Sequence, residues 1–374
     1  MPVDPQTLAA LQDKYLVLHE FVRAAKNRLD ANIWDYLVGA TETEATMRRN
    51  RMGIDALAFR PRVLRDVSEI DTSSTLFGKK VRLPVLLAPV GGLEFMAVGA
   101  NGAVTAGEGA SAFGVPIMLS SVSKPGLEEV AAAATGMKIY QLYVRGDAAS
   151  VEDSIQRAKA HGYDAFCLTV DTAIYSRRER DIARRFAKPW RATATGEAQR
   201  YQAALNWDDV KRIKDRHPDM PLILKGIGTG EDALIACQHG VEVVYVSNHG
   251  GRQLDAGRGS IEVLPEVVQA VAGRAKVWVD GGFSRGTDIV KALCLGAECV
   301  GLGRLYCYAL AADGAAGVVR LLEVLENEFR SALGLLGVTS VGQLGPSFVA
   351  PSTPTNLPHV HSAFPLLRLD DSGY

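Results

Sequence analysis

From Val85 onward the chain alternates short apolar runs with longer segments whose apolar residues recur every three or four positions. That is the pattern of parallel strands joined by crossover helices. The strand candidates are Val85 to Val90, Ile117 to Ser121, Lys138 to Val144, Ala165 to Asp171, Leu222 to Ile227, Val243 to Asn248, Lys276 to Asp280 and Cys299 to Gly303. Helical patterns include Gly126 to Ala134, Val151 to His161, Glu231 to His239, Leu264 to Ala272 and Thr287 to Leu295, with Gln, Lys and Glu on their outer faces. Eight such units in about 220 residues fit a closed (β/α)8 barrel. An open doubly wound sheet would need a glycine fingerprint in its first turn, and none follows Val90.

Ahead of the barrel, Leu8 to Leu29 is periodic like a helix, and Ile33 to Tyr36 leads into a turn at Gly39. After it, Gly345 to Tyr374 is rich in Pro, Ser and small residues without a clear period, which predicts an extended tail lying on a neighbouring subunit. The whole reads as one α/β unit over residues 1–374. It is a (β/α)8 TIM barrel with its core at about 85–337, an N-terminal helical extension and an irregular C-terminal tail.

Composition narrows the setting. With 374 residues and 47% hydrophobic content the chain can bury a large core, and 41 Lys plus Arg balance 42 Asp plus Glu. A net charge of -1 offers no general attraction to nucleic acid or to anionic membranes, so neither partner is expected. Cys167, Cys237, Cys294, Cys299 and Cys307 are odd in number and widely spaced, mostly within apolar runs, which argues against a disulfide framework or a zinc site. No charged N-region followed by an apolar core opens the chain, and no run of about 18 apolar residues occurs. Asp371 to Tyr374 is not a peroxisomal tripeptide. The expectation is a soluble protein of a reducing compartment, the cytoplasm, with no bound metal.

Barrel enzymes gather their chemistry at the C-terminal strand ends, and this chain concentrates polar residues there. The run SNHGGRQLD, Ser247 to Asp255, follows a strand and puts His249 and Arg252 just past its end. A proton acceptor and a carboxylate clamp could there face one small molecule, with Gly250 and Gly251 letting backbone approach it. A lone His after a strand is more often a hydrogen-bonded structural residue, and the matching strand ends reverse those odds. Asp171, taken alone, serves equally well as a turn or cap residue or as a partner for His249. Tyr140 reads as a packing residue. Lys225, in LILKGI, needs an anionic partner because burying an unpaired ammonium is costly. DGGFSRGTD, Asp280 to Asp288, and GLGR, Gly301 to Arg304, end the last two strands. Their backbone N–H groups, the following helix N-terminus and Arg304 could together hold a phosphate dianion.

Taken in order, these motifs resemble the FMN-dependent 2-hydroxy acid oxidases and dehydrogenases, the family of glycolate oxidase, lactate oxidase and mandelate dehydrogenase, over about Asp35 to Gly337. The resemblance implies that His249 is the catalytic base, that Asp171 pairs with it and that Tyr143 meets the substrate hydroxyl. Tyr36, in WDYLVGA, would bind the substrate carboxylate with Arg252, helped by the movable Arg178. It further implies an FMN site built from Pro89, Val90, Gly91, Ser120, Gln141, Thr169 and Ser247, with Lys225 near flavin N1 and O2. Asp280, Gly281, Gly282, Ser284, Arg285, Gly303 and Arg304 would serve the phosphate side. The implied reaction takes an (S)-2-hydroxy acid to the 2-oxo acid, with electrons passing to FMN and then to oxygen or another acceptor. A carbanion-like and a hydride route both remain open. A homotetramer is implied as well.

Several positions depart from the family pattern. After the first strand the oxidases commonly carry APxA, whereas Ala88, Pro89, Val90 and Gly91 stand here. The glycine resembles mandelate dehydrogenase and lactate monooxygenase and counts against simple peroxide-forming oxidase activity. Val98 to Asn101 replace an HPxGE-like loop, and Val122 replaces an aromatic residue, which admits a bulkier substrate unless Tyr175 refills the space. The connection from Arg185 to Trp207 is short and polar. Ser284 replaces a frequent phosphate-loop arginine, with Arg285 one position later. Two alternatives follow: oxidative decarboxylation as in lactate monooxygenase, and a redox-silent FMN-binding barrel, against which the acid–base pair argues.

Overall fold

The computed structural model describes residues 3–189 and 196–368. Eight parallel strands, Val85–Leu87 (β1), Ile117–Ser120 (β2), Lys138–Leu142 (β3), Ala165–Thr169 (β4), Leu222–Ile227 (β5), Val243–Val246 (β6), Lys276–Asp280 (β7) and Cys299–Leu302 (β8), close into one barrel in chain order. Every predicted strand is present. Several stop two residues short of the expected ends, because the chain there leaves the ladder to form the turns that carry polar side chains.

Strand residues alternate between the barrel interior and the helix layer. Leu86, Met118, Ile139, Cys167, Ile223, Tyr245, Trp278 and Cys299 fill the interior. Val85, Leu87, Leu119, Phe166, Leu224, Val244, Val279 and Val300 face outward into the core shared with the helices. A hairpin of Ser74–Leu76 and Lys79–Val81 adds Leu76 and Val81 to the interior core and sets Phe77 against Trp278, which plugs the end away from the polar strand ends.

The five predicted helices are observed at Leu127–Ala133, Ala148–Ala160, Gly230–Gln238, Ser260–Val271 and Gly286–Cys294. The second begins earlier than expected because Asp147 caps it, accepting the Ser150 N–H at 2.9 Å. The fourth starts at Ser260 despite Pro265 inside it. The helix Arg304–Leu336 is long and apolar enough to cross a membrane by length and composition, but 78% of its apolar window is buried inside the molecule. It breaks at Asp313 and Gly314.

The N-terminal periodic stretch is two helices, Pro5–Lys14 and Leu18–Arg28, rather than one. Glu20 accepts the N–H groups of Leu16 and Val17 at 2.6 and 3.0 Å, which caps the second helix and separates it from the first. Ala31–Val38 and Ala45–Asp55 follow. The tail is largely irregular and packs on its own chain. Val349–Pro351 pairs antiparallel with Leu57–Phe59, and the chain beyond folds back on its own N-terminal helices, burying Phe364 to 2% exposure. Residues 369–374, which include the C-terminal tripeptide, lie outside the described residues, as do residues 190–195 of the connection after Arg185.

Candidate active site

The inward series on the strands turns from apolar to polar at the C-terminal ends. Met118 is followed two residues on by Ser120, Ile139 by Gln141, Cys167 by Thr169, Ile223 by Lys225, Tyr245 by Ser247 and Trp278 by Asp280. Continuing two residues past Gln141, Thr169 and Ser247 gives Tyr143, Asp171 and His249. A period of two thus delivers all of these groups to one mouth, which opens into a cleft of about 570 Å³. Tyr36, Pro89, Val90, Gly91, Tyr143, Arg178, Lys225, His249, Arg252, Asp280, Gly281, Gly282, Ser284, Gly303 and Arg304 all line it. Ser120, Gln141, Thr169, Ser247 and Asp171 stand behind that surface.

Two buried networks set the floor. Lys225 donates to the Ser247 hydroxyl at 2.7 Å, Ser247 donates to Asp280 at 2.6 Å, and Lys225 and Asp280 form an ion pair at 3.1 Å. This supplies the anion that Lys225 requires. Burial pulls the Lys225 ammonium down, but Asp280 and Asp171 outweigh it and hold the value above the ordinary one. In the second network the Gln141 amide donates to Thr169 at 2.8 Å, while the Gln141 carbonyl oxygen is buried without a partner.

His249 stands between two oxygen groups. Its Nδ1 lies 3.2 and 3.3 Å from the Asp171 carboxylate oxygens, and its Nε2 lies 2.8 Å from the Tyr143 hydroxyl. Burial lowers the imidazole's value, with Lys225 adding to the effect and Asp171 opposing it. Burial would raise the Asp171 carboxyl, but His249 and Lys225 hold it below the usual range. Burial, reinforced by Asp171, pushes the Tyr143 phenol well up. The neutral-pH arrangement is therefore an ionised Asp171 accepting from Nδ1–H and a Tyr143 hydroxyl donating to a basic Nε2. Room for Asp171 comes from Gly226, where β5 bulges with φ +113 and an added Cβ would meet the Asp171 Cβ at 2.6 Å.

The paired glycines after His249 have a different use from the one expected. A Cβ at Gly250 would meet Arg304 at 2.8 Å, and one at Gly251 would meet the Met47 backbone at 2.5 Å, so they admit protein rather than only a ligand. His249 shares their left-handed conformation, φ +59. Asp255, the last residue of the motif, accepts the N–H groups of Thr43 and Thr46 at 2.9 and 3.0 Å, capping the helix Ala45–Asp55 from across the fold.

Three guanidinium groups gather around the cleft without a carboxylate hydrogen bond among the described residues. Arg252 donates to the Tyr36 carbonyl and lies 4.5 Å from that residue's ring centroid, and its Nε is buried without a partner. Arg178 reaches Ser176 and lies over the Tyr175 ring. Arg304 donates to the carbonyls of Leu37, Gly250 and Gly39. Burial, with Arg252 nearby, lowers Arg304 to about 10. Cations so desolvated are arranged for anions.

The phosphate-side expectation needs two corrections. Arg285 does not reach the cleft: its guanidinium pairs with Glu328 at 2.5 Å and donates to the Ala363 carbonyl at 3.0 Å. The N-terminus of Gly286–Cys294 is also already satisfied, since Asp288 accepts the Ser284 and Arg285 N–H groups and Glu328 accepts that of Gly286. The helix start that meets the cleft belongs to Arg304–Leu336, which no side chain caps.

Sequence reasoning missed Asn50 and Arg51, which also line the cleft. Arg51 donates to the Gly282 carbonyl at 3.1 Å and pairs with buried Asp288 at 2.7 Å, so it holds the glycine turn in place. Asn50 exchanges hydrogen bonds with Asn248 at 2.9 and 2.7 Å. Neither sits in a local motif. His359 and Val360 of the tail line the cleft too, and Tyr175 and Val122 form part of its wall.

A flavin mononucleotide fits this donor set. The orphaned Gln141 oxygen and the Lys225 ammonium suit the polar edge of the ring. The turn at Gly281 and Gly282, Gly303, Ser284 and Arg304 suit a dianion.

A barrel mouth with a base, buried cations and this donor set defines a flavin-dependent oxidoreductase, and comparison with known proteins agrees. The family model for FMN-dependent dehydrogenase matches residues 25–351. A glycolate oxidase of Arabidopsis thaliana is 37% identical over 364 residues, covering 92% of this chain and 98% of the relative. An L-lactate oxidase of a Nostoc species is 37% identical, covering 89% and 97%. A crystal structure of mandelate oxidase superposes with a TM-score of 0.85 at 37% identity, covering 91% of this chain and all of that one. The chain belongs to the FMN-dependent dehydrogenase family, and its cofactor is FMN.

Proposed function

We propose that the protein oxidises an (S)-2-hydroxy acid to the 2-oxo acid, with oxygen or another acceptor reoxidising the cofactor. The observation that carries this reading is the position of His249, held by Asp171 and Tyr143 beside guanidinium groups that make no carboxylate hydrogen bond among the described residues. Relatives named for glycolate, L-lactate and mandelate oxidation support the substrate class.

Bound FMN supplies the two-electron acceptor. Arg252 and Arg178 receive the substrate carboxylate, the first backed by the Tyr36 ring, and so fix the hydroxyl-bearing carbon at the mouth. Tyr143 meets the hydroxyl. His249 takes a proton at Nε2, and Asp171, already ionised, stabilises the imidazolium that forms.

Val122 in the cleft wall favours a substrate bulkier than glycolate, whereas Tyr175 in the same wall works against it. Anaerobic mixing with glycolate, lactate, 2-hydroxyoctanoate and mandelate tests the reading: at least one should bleach the flavin, and a panel in which none does overturns it. Gly91 lines the cleft with no side chain, which favours a second outcome, oxidative decarboxylation under air. A carboxylic acid one carbon shorter, formed in the presence of catalase, is its signature. The five unpaired thiols support residence in the reducing cytoplasm. Exposed Val63, Leu64 and Leu254 favour assembly, with a homotetramer as the form tested by light scattering.

A further inference from the structure

The family match ends at residue 351, yet the chain beyond it returns to the cofactor cleft. His359 and Val360 line that cleft together with Ser284, Gly303, Arg304 and Tyr308. The turn presenting His359 is closed on itself. Ser362 donates its N–H and its hydroxyl to the His359 carbonyl at 3.1 and 2.9 Å, and the His361 N–H donates to His359 Nδ1 at 3.0 Å. Next to it, His361 stacks on Trp34 with centroids 5.5 Å apart, and its Nε2 lies 3.3 Å from the Tyr308 hydroxyl. Phe364 is buried against His19, and Arg285 holds the Ala363 carbonyl. The segment is packed onto the molecule at several independent points.

Because Nδ1 of His359 accepts a backbone N–H, the ring hydrogen of the neutral imidazole sits on Nε2, making that nitrogen a donor. His359 shares the cleft lining with Arg304, which brings a guanidinium, and with Ser284, the hydroxyl of the glycine turn. Arg285, the adjacent cation in sequence, is occupied by Glu328 and by this same segment.

We infer that residues 352–366 form a cofactor-retaining strap added to the family fold, and that His359 is a ligand of the FMN phosphate. The strap concerns cofactor binding and stands independently of which acid is oxidised. Full-length protein freed of flavin is titrated with FMN and with riboflavin, which lacks the phosphate, following the quenching of flavin fluorescence. His359→Ala weakens FMN binding about tenfold and leaves riboflavin binding unchanged, the effect of one hydrogen bond to a charged group. Unchanged FMN affinity, or an equal loss for both flavins, overturns the phosphate contact. Phe364→Ala, which loosens the anchor away from the cleft, speeds FMN release from the holoprotein. An unchanged release rate overturns the strap.

Discussion

The Tyr143 hydroxyl and the Nε2 of His249 share one hydrogen bond 2.8 Å long, and its direction decides what the pair can do. Burial keeps the phenol protonated and the imidazole neutral, so the hydroxyl donates and Nε2 accepts. A substrate hydroxyl entering beside Tyr143 therefore meets a base whose other nitrogen is already committed to Asp171.

His249→Ala should retain bound FMN, because no cofactor-side contact in the Lys225, Ser247 and Asp280 network depends on the imidazole. Flavin reduction by substrate should slow by roughly 10²–10⁴-fold, the usual contribution of a positioned base. Anaerobic stopped-flow bleaching measures it, and unchanged kinetics would remove His249 from the chemistry.

The acid limb of the reduction rate reports the protonation of His249. Its value lies below that of an ordinary imidazole, so activity should persist into mildly acidic solution and fall only as pH drops through that lowered value. The Asp171 charge opposes the lowering. Asp171→Asn should accordingly move the limb to still lower pH while reducing the maximal rate. A shift to higher pH would contradict the assigned pair.

Arg252→Met should act on the substrate carboxylate. Loss of a charge-assisted contact of about 1.5–3 kcal/mol predicts a rise of roughly 10–150-fold in the substrate dissociation constant. Titration with a non-reactive 2-oxo acid checks this, and equal affinity in both proteins would place the clamp elsewhere.

Asp255→Ala should cost about 1–2 kcal/mol of stability by uncapping the helix Ala45–Asp55. Burial works against the ionised form, but bonds from Thr43 and Thr46 hold the carboxyl at about 2. A folded value below the unfolded one means that the stabilisation is present above the ordinary carboxylate range and is lost as pH falls toward about 2. Denaturant melts of wild type and variant should therefore converge in strong acid.

Asp288→Asn should be more severe, at about 3–5 kcal/mol, because it leaves the buried Arg51 guanidinium without its main counter-charge. Since Arg51 also holds the Gly282 carbonyl, the same variant should release FMN more readily. Thermal melts with and without added flavin separate the two effects.

Much of the site was legible because it follows strand parity. Gln141 and Tyr143, Thr169 and Asp171, and Ser247 and His249 lie two residues apart on inward positions, so recognising the strand places the side chain. Arg285 was misplaced because its nearness in sequence to a glycine turn says nothing of Glu328, 43 residues away, which claims its guanidinium. The packing of the tail on its own chain was not legible for a related reason. Its short segment has no period, and the rings that hold it, Trp34 and His19, belong to the opposite end of the chain.

By itself the sequence determined the eight-strand barrel and the polar rim at one end of it, since both arise from local alternation of apolar and polar residues. Only the tertiary structure decided which charges meet. Arg51 finds Asp288 across 237 residues, and His249 finds Asp171 across 78. Such pairings depend on closure of the ring and on which cations burial leaves in need of an anion, and no local spacing encodes either.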